Sequence, residues 1–587
     1  MAFLAGALRL DSDRLAEEER ARFQKALDHI APLVQASSLT TLSRPSALLA
    51  LSGHGRLWQG PQLLTTPHLD AAGIGIQWQR IDGTNSALEA LALEFLRPHP
   101  APPDAFDGFS CAFLPRNTGA PVLVTDPLGL FPLCYAVRHG TLFFSSHQTF
   151  LRALLETGAR PDPQAALQFL MIGHPLGDRT LMAGVRMLPP GTRLLCKDDG
   201  IRLSSYGIGD ANGHEPATPI PASSAAALLY ERLSYKRDNY SRLSNGPVLG
   251  FLSGGWDSRL LVALFANAGR IRETLTTQQR VRLEGCYVSE ELIAREVAGL
   301  LGIKNRFVPP SYRDPSSLVH RSAMLDWSTW FHEWAFEMAE RVPEGRYLLL
   351  DGLLGDILIR GLFMDDHLAA AQEKQDRGAV CRILHQRFLQ GFNTYTPGVE
   401  KWGPVLRPEV LKSFKEGLWE DLKEELARID HPETASMFFL RNRSRRAIAP
   451  LSRLVFGRKG DVHLPFCDPG FVRLALSLPL NGRMDGSIYG RLLELARPGL
   501  ARIPSTNEKD PVRMAPYLTK DLPEASIRGR EERRKARLKA LCDTPPRVFA
   551  PMLRPEILTA PAGRDMEVVG RHLLLLERIQ MLERFFG

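Results

Sequence analysis

The stretch that decides the fold runs from Pro247 to Ser258 and reads PVLGFLSGGWDS. Residues 247–252 form a short apolar run, which is typical of a buried strand. A glycine-rich turn follows at 253–258, and the pattern at 259–268 predicts a helix. This order predicts a phosphate-binding loop, because the glycines let backbone N–H groups approach an anion and the helix N-terminus adds unpaired donors.

The side chains of this turn suit a nucleotide bound with magnesium. The serine hydroxyls can donate hydrogen bonds, and Asp257 can hold Mg²⁺ against pyrophosphate oxygens. The turn is not a Walker loop, because no GxxxxGK[ST] is present and no lysine follows to reach a γ-phosphate. We therefore expect the loop to hold pyrophosphate as a leaving group. Its candidate nucleotide-binding residues are Leu252, Ser253, Gly254, Gly255, Asp257 and Ser258.

A second apolar strand, at 347–350, delivers further acidic side chains. Asp351 and Gly352 follow it directly, and Asp356 comes shortly after. Ligands bind beyond the carboxyl ends of strands in open α/β sheets. Asp356 is therefore a candidate to share Mg²⁺ with Asp257, although a strand-end aspartate can also be a simple helix cap.

The rest of the chain predicts two domains. Residues 1–206 are β-rich, with short strands at 122–125, 142–145 and 192–196, and residues 207–223 have the Gly, Pro, Ala, Asn and Ser content of a linker. In 224–587 a helix at 225–243 precedes the loop. A strand at 273–277, a helix at 290–301 and a strand at 304–308 then predict a parallel sheet covered on both faces. From about residue 365 onward the pattern is mostly helical, and an amphipathic helix is expected at 571–586.

Composition narrows the function classes. The chain has 587 residues, 44% hydrophobic and 24% charged, and a net charge of +8. The charge favours an anionic partner such as a nucleotide. No apolar run is long enough for a membrane span, and no signal peptide is expected, because the start lacks basic residues. The seven scattered cysteines are expected to be free thiols in the cytoplasm. A basic run at 528–539 fits a solvated helix or a docking surface for an acidic substrate.

Several segments resemble the asparagine synthetase superfamily. The synthetase domain is represented by the 253–258 loop, by 352–356, by 294–302 and by the Leu-Pro segments at 464–469 and 478–479. The first domain resembles the class II amidotransferase domain of that family at 106–108, 126–133 and 185–191. The resemblance implies a degenerate Ntn-hydrolase-like αββα sandwich, followed by a doubly wound parallel-sheet ATP pyrophosphatase domain with a helical C-terminal part.

The resemblance also implies a mechanism and site roles. ATP adenylates a carboxylate, pyrophosphate leaves with help from Mg²⁺, and an amine attacks to give an amide and AMP. Asp257 and Asp356 would be the Mg²⁺ ligands, and Asp351 and Gly352 would lie in the second ATP-contacting loop. Lys509 is the nearest candidate for the lysine that stabilises the adenylation transition state; the alternative is a surface lysine.

Two departures from the family pattern bear on the substrates. Glutamine-hydrolysing members carry a nucleophilic cysteine directly after Met1, where this chain has Ala2, so glutaminase activity is not expected. Asparagine synthetases carry Glu where this chain has Leu353, and β-lactam-forming relatives carry Tyr there. Leucine supplies neither acid–base chemistry nor a hydrogen bond, which argues against asparagine or a standard β-lactam as the product.

The leading hypothesis is an intramolecular ligase similar to lasso-peptide cyclases, in which a peptide amine attacks its own adenylated carboxylate. Its substrate would be a peptide or small-molecule carboxylate, its partner a precursor-processing protease, and its cofactors ATP and Mg²⁺. The alternatives are a ligase that uses free ammonia or another small amine and an inactive binding scaffold. An RNA-modifying pyrophosphatase is disfavoured because no paired or reactive cysteine is seen, so no nucleic-acid partner is expected.

Two further clusters allow two interpretations each. His332 and Glu333, within an aromatic segment at 330–334, either face a substrate pocket or belong to a packed core helix. The arginines at 441, 443, 445 and 446 either contact phosphate or an acidic peptide, or cover a solvated helix face.

Overall fold

The computed structural model describes residues 2–11, 14–34, 39–53, 62–75, 87–98, 100, 108–116, 119–156, 159–197, 200–208, 221–243, 246–279, 281–310, 316–332, 334–345, 347–391, 398–520, 547–555 and 573–586. Outside the described residues lie the basic run at 528–539, Phe106, Asp107, Glu333 and positions 209–220 of the predicted linker.

The N-terminal half contains two antiparallel sheets of six strands each. Their strand orders are β10-β8-β9-β1-β3-β2 and β12-β11-β7-β6-β5-β4. The strands are β1 (Phe3–Arg9), β2 (Leu39–Ser43), β3 (Ala47–Ser52), β4 (Gln62–Thr65), β5 (Leu69–Ile74), β6 (Ser110–Pro115), β7 (Val122–Thr125), β8 (Cys134–Arg138), β9 (Thr141–Ser145), β10 (Arg186–Met187), β11 (Thr192–Lys197) and β12 (Gly200–Ser205).

The two sheets pack face to face and carry helices on their outer faces. Side chains alternate along β1, so that Leu4 and Leu8 join a core shared with the second sheet, while Phe3 packs in the core that contains Phe23 and Phe150. These last two side chains come from helices outside the first sheet, and α2 covers the second sheet. The layers are therefore α-β-β-α, as expected. The helices are α1 (Glu17–Val34), α2 (Ala87–Phe95), α3 (Gln148–Leu155) and α4 (Pro163–Ile172).

The second half is built on a five-stranded parallel sheet, in the order β17-β14-β13-β18-β19. Val248 and Leu249, neighbours on β13, belong to two separate cores on opposite faces of this sheet. Both faces are therefore covered, as the alternating strands and helices predicted. The strands are β13 (Val248–Phe251), β14 (Ile271–Thr277), β17 (Lys304–Val308), β18 (Leu348–Leu350) and β19 (Asp461–His463); β15 (Arg282–Leu283), β16 (Cys286–Val288) and β20 (Leu518–Thr519) form a small antiparallel sheet.

Helices dominate the remainder, as expected beyond about residue 365. The α-helices are α5 (Ala222–Leu243), α6 (Trp256–Asn267), α7 (Glu290–Leu301), α8 (Ser316–Met324), α9 (Trp334–Glu340), α10 (Gly355–Arg360), α11 (Asp366–Glu373), α12 (Arg377–Gln390), α13 (Pro408–Ala427), α14 (Thr434–Phe439), α15 (Pro469–Leu476), α16 (Leu480–Met484), α17 (Ser487–Ala496), α18 (Pro511–Met514) and α19 (Leu573–Phe586). Two π-helical segments cover Leu440–Ile448 and Leu451–Val455. None of the helices in the described part of the chain is both long and apolar enough to cross a bilayer.

The π-helical segment Leu440–Ile448 joins the two halves through its arginines. Arg445 donates to the carbonyl oxygens of Gly129 and Leu188, and Arg446 donates to that of Gly177 at 2.5 Å. Both side chains are 4% exposed. The interpretation of these arginines as a solvated helix face is therefore wrong, because their guanidinium groups satisfy buried carbonyls of the N-terminal half.

Candidate nucleotide site at the edge of the parallel sheet

Two neighbouring strands bring the predicted acidic loops together. In the parallel register Gly250 of β13 lies opposite Leu350 of β18, so both strands end at the same edge of the sheet. The loop at 253–258 and the loop at 351–356 therefore emerge side by side. They border a cavity of about 250 Å³, close to the lower end of the range for small-molecule sites.

The loop at 253–258 is held in shape by its own serines. The Ser253 N–H donates to the Ser258 hydroxyl at 3.0 Å, and the Gly255 N–H donates to the Ser253 hydroxyl at 3.2 Å. Gly255 is the N-cap residue of α6. Asp257 and Ser258, in the first turn of α6, line the cavity. Backbone N–H groups in the first turn of a helix lack intrahelical partners, which favours a phosphate at this position.

The loop at 351–356 approaches Asp257 so closely that it needs glycine at two positions. A Cβ at Gly352 would lie 2.9 Å from the Cβ of Asp257. A Cβ at Gly355 would lie 2.7 Å from Oδ1 of the same aspartate. The absence of side chains here lets the second loop pack directly on the first.

Asp257 and Asp356 both line the cavity, and each is partly buried. Burial, followed by the neighbouring charge of Asp356, raises the pKa of Asp257 to about 8. Burial also raises the pKa of Asp356. Two neighbouring carboxylates whose ionisation is disfavoured form a good site for a divalent cation, because the cation's charge removes that penalty.

The chemistry of this donor set fits Mg²⁺. Among the described residues, no group of three or more His, Cys, Asp or Glu side chains is placed to hold a metal. Mg²⁺ is commonly held by one or two protein carboxylates and completes its shell with phosphate oxygens and water. Asp257 and Asp356, beside the N-terminus of α6, meet that requirement.

Asp351 is oriented by both the loop and the π-helical segment. Its Oδ2 accepts a 2.5 Å hydrogen bond from the Ser452 hydroxyl, and its Oδ1 accepts from the Leu353 N–H at 3.2 Å. Burial raises the pKa of this carboxyl. Ser452 lies in the π-helical segment Leu451–Val455, shortly after the segment Leu440–Ile448 that contacts the N-terminal half. The bond to Ser452 therefore connects the second loop to this part of the chain.

Outside the two acidic loops, much of the cavity lining is apolar, and His332 and Arg443 are among its polar members. Its apolar side chains include Trp334, Met338, Leu353, Ile448, Leu451 and Phe456. His332 thus lies in the lining, as one of its two interpretations required. Arg443 also lines the cavity, and its contact with phosphate or an acidic peptide stays a prediction.

The predicted site residues fall into three groups. Lining the cavity are Leu252, Ser253, Asp257, Ser258, Asp351, Gly352 and Asp356. Gly254 and Gly255 form the turn beside it, where the Gly254 N–H donates to Glu290 at 3.3 Å. Lys509 is exposed and is not part of the lining. Its catalytic role stays a prediction.

The sequence interpretation missed two side chains at this site. Glu290, the first residue of α7, lies in the cavity wall and accepts from the loop. Tyr489, on α17, donates from its hydroxyl to Asp257 at 2.5 Å. Neither stands next to a recognisable motif, and both reach the loop only through the packing of their helices.

The aspartate in the amidotransferase-like motif at 126–133 has a structural role. The Asp126 carboxylate accepts from the N–H groups of Phe109, Leu128, Leu130 and Phe131. Cys134 and Cys196 of the same half are buried, and burial raises the pKa of both thiols to about 12. These two thiols are therefore not thiolates near neutral pH and are poor nucleophiles.

Two family models match separate parts of the chain. Residues 241–515 match the family model described as asparagine synthase, and residues 104–207 match that described as a glutamine amidotransferase domain. No curated protein matches the chain. One similar solved structure is glutamine phosphoribosylpyrophosphate amidotransferase from B. subtilis complexed with ADP and GMP, at 11% identity over 60% of this chain and 75% of that chain, with a TM-score of 0.23. Another similar structure is described as that of the allosteric regulatory enzyme of purine biosynthesis. It is 13% identical over 53% of this chain and 82% of that chain, with a TM-score of 0.23.

Proposed function

This chain belongs to the asparagine synthetase superfamily, and we propose that it activates a carboxylate as an acyl-adenylate, from which an amine forms an amide. The asparagine synthase match supports ATP-dependent amide ligation in general. The observation that carries the finer proposal is the placement of Asp257 and Asp356 beside the N-terminus of α6, in one cavity.

The proposed reaction has two steps. A carboxylate oxygen of the substrate attacks the α-phosphorus of ATP, the bond to the bridging oxygen breaks, and pyrophosphate leaves. The amine nitrogen then attacks the acyl carbon, AMP leaves and the nitrogen loses a proton. The backbone N–H groups of α6 would bind the phosphates, and Asp257 and Asp356 would hold Mg²⁺. When bound, Mg²⁺ neutralises charge on the leaving pyrophosphate.

For the acyl substrate we propose a peptide whose own amine is the nucleophile, giving a lasso-type macrolactam. Two observations support this proposal. The cavity wall is apolar around Leu353, Trp334 and Phe456, which suits a peptide side chain better than a small zwitterion. The buried thiols of Cys134 and Cys196 also supply no nucleophile for releasing ammonia from glutamine.

The test is a turnover assay on the purified protein with Mg-ATP, measuring AMP and pyrophosphate. The substrate panel contains aspartate with ammonia, amino sugars with a free carboxylate donor, and short peptides encoded beside this gene. Peptide-dependent AMP release, with a product one water lighter than the peptide, is the expected result. AMP release with aspartate and ammonia alone would replace the macrolactam proposal by ordinary asparagine formation. ATP binding without turnover of any substrate in the panel would indicate a binding scaffold.

A further inference from the structure

The loop between α8 and α9 has an unusual backbone conformation. Asp326, Trp327 and His332 have φ angles of +51°, +55° and +61°. Non-glycine residues rarely adopt these angles, and a bulky aromatic residue adopts them less readily still. Such conformations persist only where the surrounding structure holds them in place.

The N-terminal half holds the first part of this loop. The Asp326 carboxylate accepts from the backbone N–H groups of Gln148 at 2.6 Å and Thr149 at 3.0 Å. The Gln148 side-chain amide returns a 2.5 Å hydrogen bond to the Asp326 carbonyl. His147, the N-cap residue of α3, makes no capping bond with its own side chain. Asp326 therefore caps α3 from the other half of the molecule.

A second contact holds the next part of the loop. The indole N–H of Trp330 donates to the carbonyl oxygen of Phe169, on α4, at 2.7 Å. Trp327 packs against Phe585 of α19, with ring centroids 5.3 Å apart. The loop is thus fixed from two helices of the amidotransferase-like half and from the last helix of the chain.

The loop ends at His332 in the cavity wall. The Trp334 indole N–H donates to Nδ1 of His332 at 3.1 Å, so Nδ1 is the acceptor and the ring proton sits on Nε2. Burial, with a smaller contribution from the charge of Arg443, lowers the pKa of His332 to about 3. Near neutral pH the ring is therefore an uncharged hydrogen-bond donor.

We propose that the amidotransferase-like half positions the substrate side of the cavity: Asp326 is a positioning residue, and it acts by holding the imidazole of His332 in the cavity wall, where the ring contacts the substrate. This rests on the proposed ligase function for its substrate. It assigns a role to an N-terminal half that offers no activated thiol among its described cysteines, and it explains why a strained loop connects that half to the cavity.

The first test uses the full chain and needs no turnover. Hydrogen–deuterium exchange is measured across residues 327–338 in Asp326→Ala and Asp326→Asn. Asp376→Ala is the matched control, since Asp376 caps α12 through the Ala379 N–H and lies outside the cavity lining. We expect exchange at least about tenfold faster in Asp326→Ala, an intermediate increase in Asp326→Asn and none in Asp376→Ala. The affinity for Mg²⁺ with α,β-methylene ATP should change less than about twofold in all three. Unchanged exchange in Asp326→Ala would overturn the proposal.

The second test asks whether Asp326 acts through His332. His332→Asn keeps a residue that tolerates positive φ but removes the imidazole. Asp326→Ala and His332→Asn should each lower kcat/KM for the peptide substrate about tenfold or more, with the KM for ATP unchanged. The double variant should be no worse than the poorer single variant, whereas multiplied effects would overturn the proposal. If no substrate of the panel supports AMP release, the ligase proposal fails. The hydrogen–deuterium exchange measurement still tests whether Asp326 positions the loop.

Discussion

The hydroxyl of Tyr489 donates a hydrogen bond of 2.5 Å to Oδ1 of Asp257, which joins α17 to the first turn of α6. Tyr489 is fully buried, and burial raises its pKa well above the ordinary value, so the hydroxyl stays protonated as a donor. The bond fixes the orientation of Asp257 and leaves its other carboxylate oxygen for a cation. A helix far along the chain thus contributes directly to the proposed metal site.

Replacing Tyr489 with phenylalanine tests this contribution. The ring keeps its packing, but Asp257 loses its donor and the constraint on its rotamer. We expect the KM for Mg-ATP to rise about tenfold and the free energy of unfolding to fall by about 1 kcal/mol. Steady-state AMP release and chemical denaturation measure the two effects. Tyr287→Phe, which removes a tyrosine hydroxyl bonded to Arg282 on a surface hairpin, should change neither.

Asp257→Asn should separate activity from stability. The amide keeps the shape of the carboxylate but binds Mg²⁺ poorly, so we expect AMP release to fall by at least about a hundredfold. Burial and the charge of Asp356 disfavour ionised Asp257 in the ligand-free protein. The Tm without ligand should therefore stay level or rise. The exposed Asp238→Asn variant is the control, and retained turnover in Asp257→Asn would contradict the site assignment.

Local sequence patterns were sufficient to predict many of the helices and strands. The strand predicted at 122–125, the helix at 290–301 and the strand at 304–308 match β7, α7 and β17 at both ends. Each has a clear local boundary, such as Gly302, which ends α7 in the left-handed conformation with φ of +68°. The helix after the nucleotide loop begins at Trp256, earlier than the predicted 259, because Gly255 is its cap.

Long-range partners explain what the sequence did not reveal. The carbonyl groups that accept hydrogen bonds from Arg445 lie more than two hundred residues from it in the sequence. No periodicity in a π-helical segment indicates such partners. The aromatic segment at 330–334 likewise gives no local sign of the left-handed backbone at His332, since Asp326 is held by a helix of the other half. The acidic loops were predictable because both follow strands, whose ends meet at one sheet edge.

The stability of the ligand-free protein should depend on pH through Glu290. This carboxyl is 3% exposed, and burial raises its pKa to about 7. The folded state therefore holds a proton that the unfolded state has already released, so stability falls as pH rises from about 4.5 to 7. The expected contribution is about 3 kcal/mol over this range. Denaturation midpoints of Glu290→Gln against the wild type should isolate it. Glu291→Gln, at the more exposed neighbour that pairs with Arg295, should retain the wild-type pH dependence.

The ion cluster around Asp468 should be a major determinant of stability. Its carboxylate accepts from Lys236 at 2.7 Å and from Arg232 at 2.5 Å, and it caps α15 through the Phe471 N–H at 2.8 Å. Lys236 is 3% exposed, so Asp468→Ala leaves a buried ammonium group without its carboxylate. We expect the free energy of unfolding to fall by about 3 to 5 kcal/mol, as for other broken buried pairs. Adding Lys236→Met to that variant removes the buried positive charge and should recover part of the loss in a denaturant titration. If the double variant is less stable than Asp468→Ala, the lost cap and packing, and not the lost ion pair with Lys236, account for the effect.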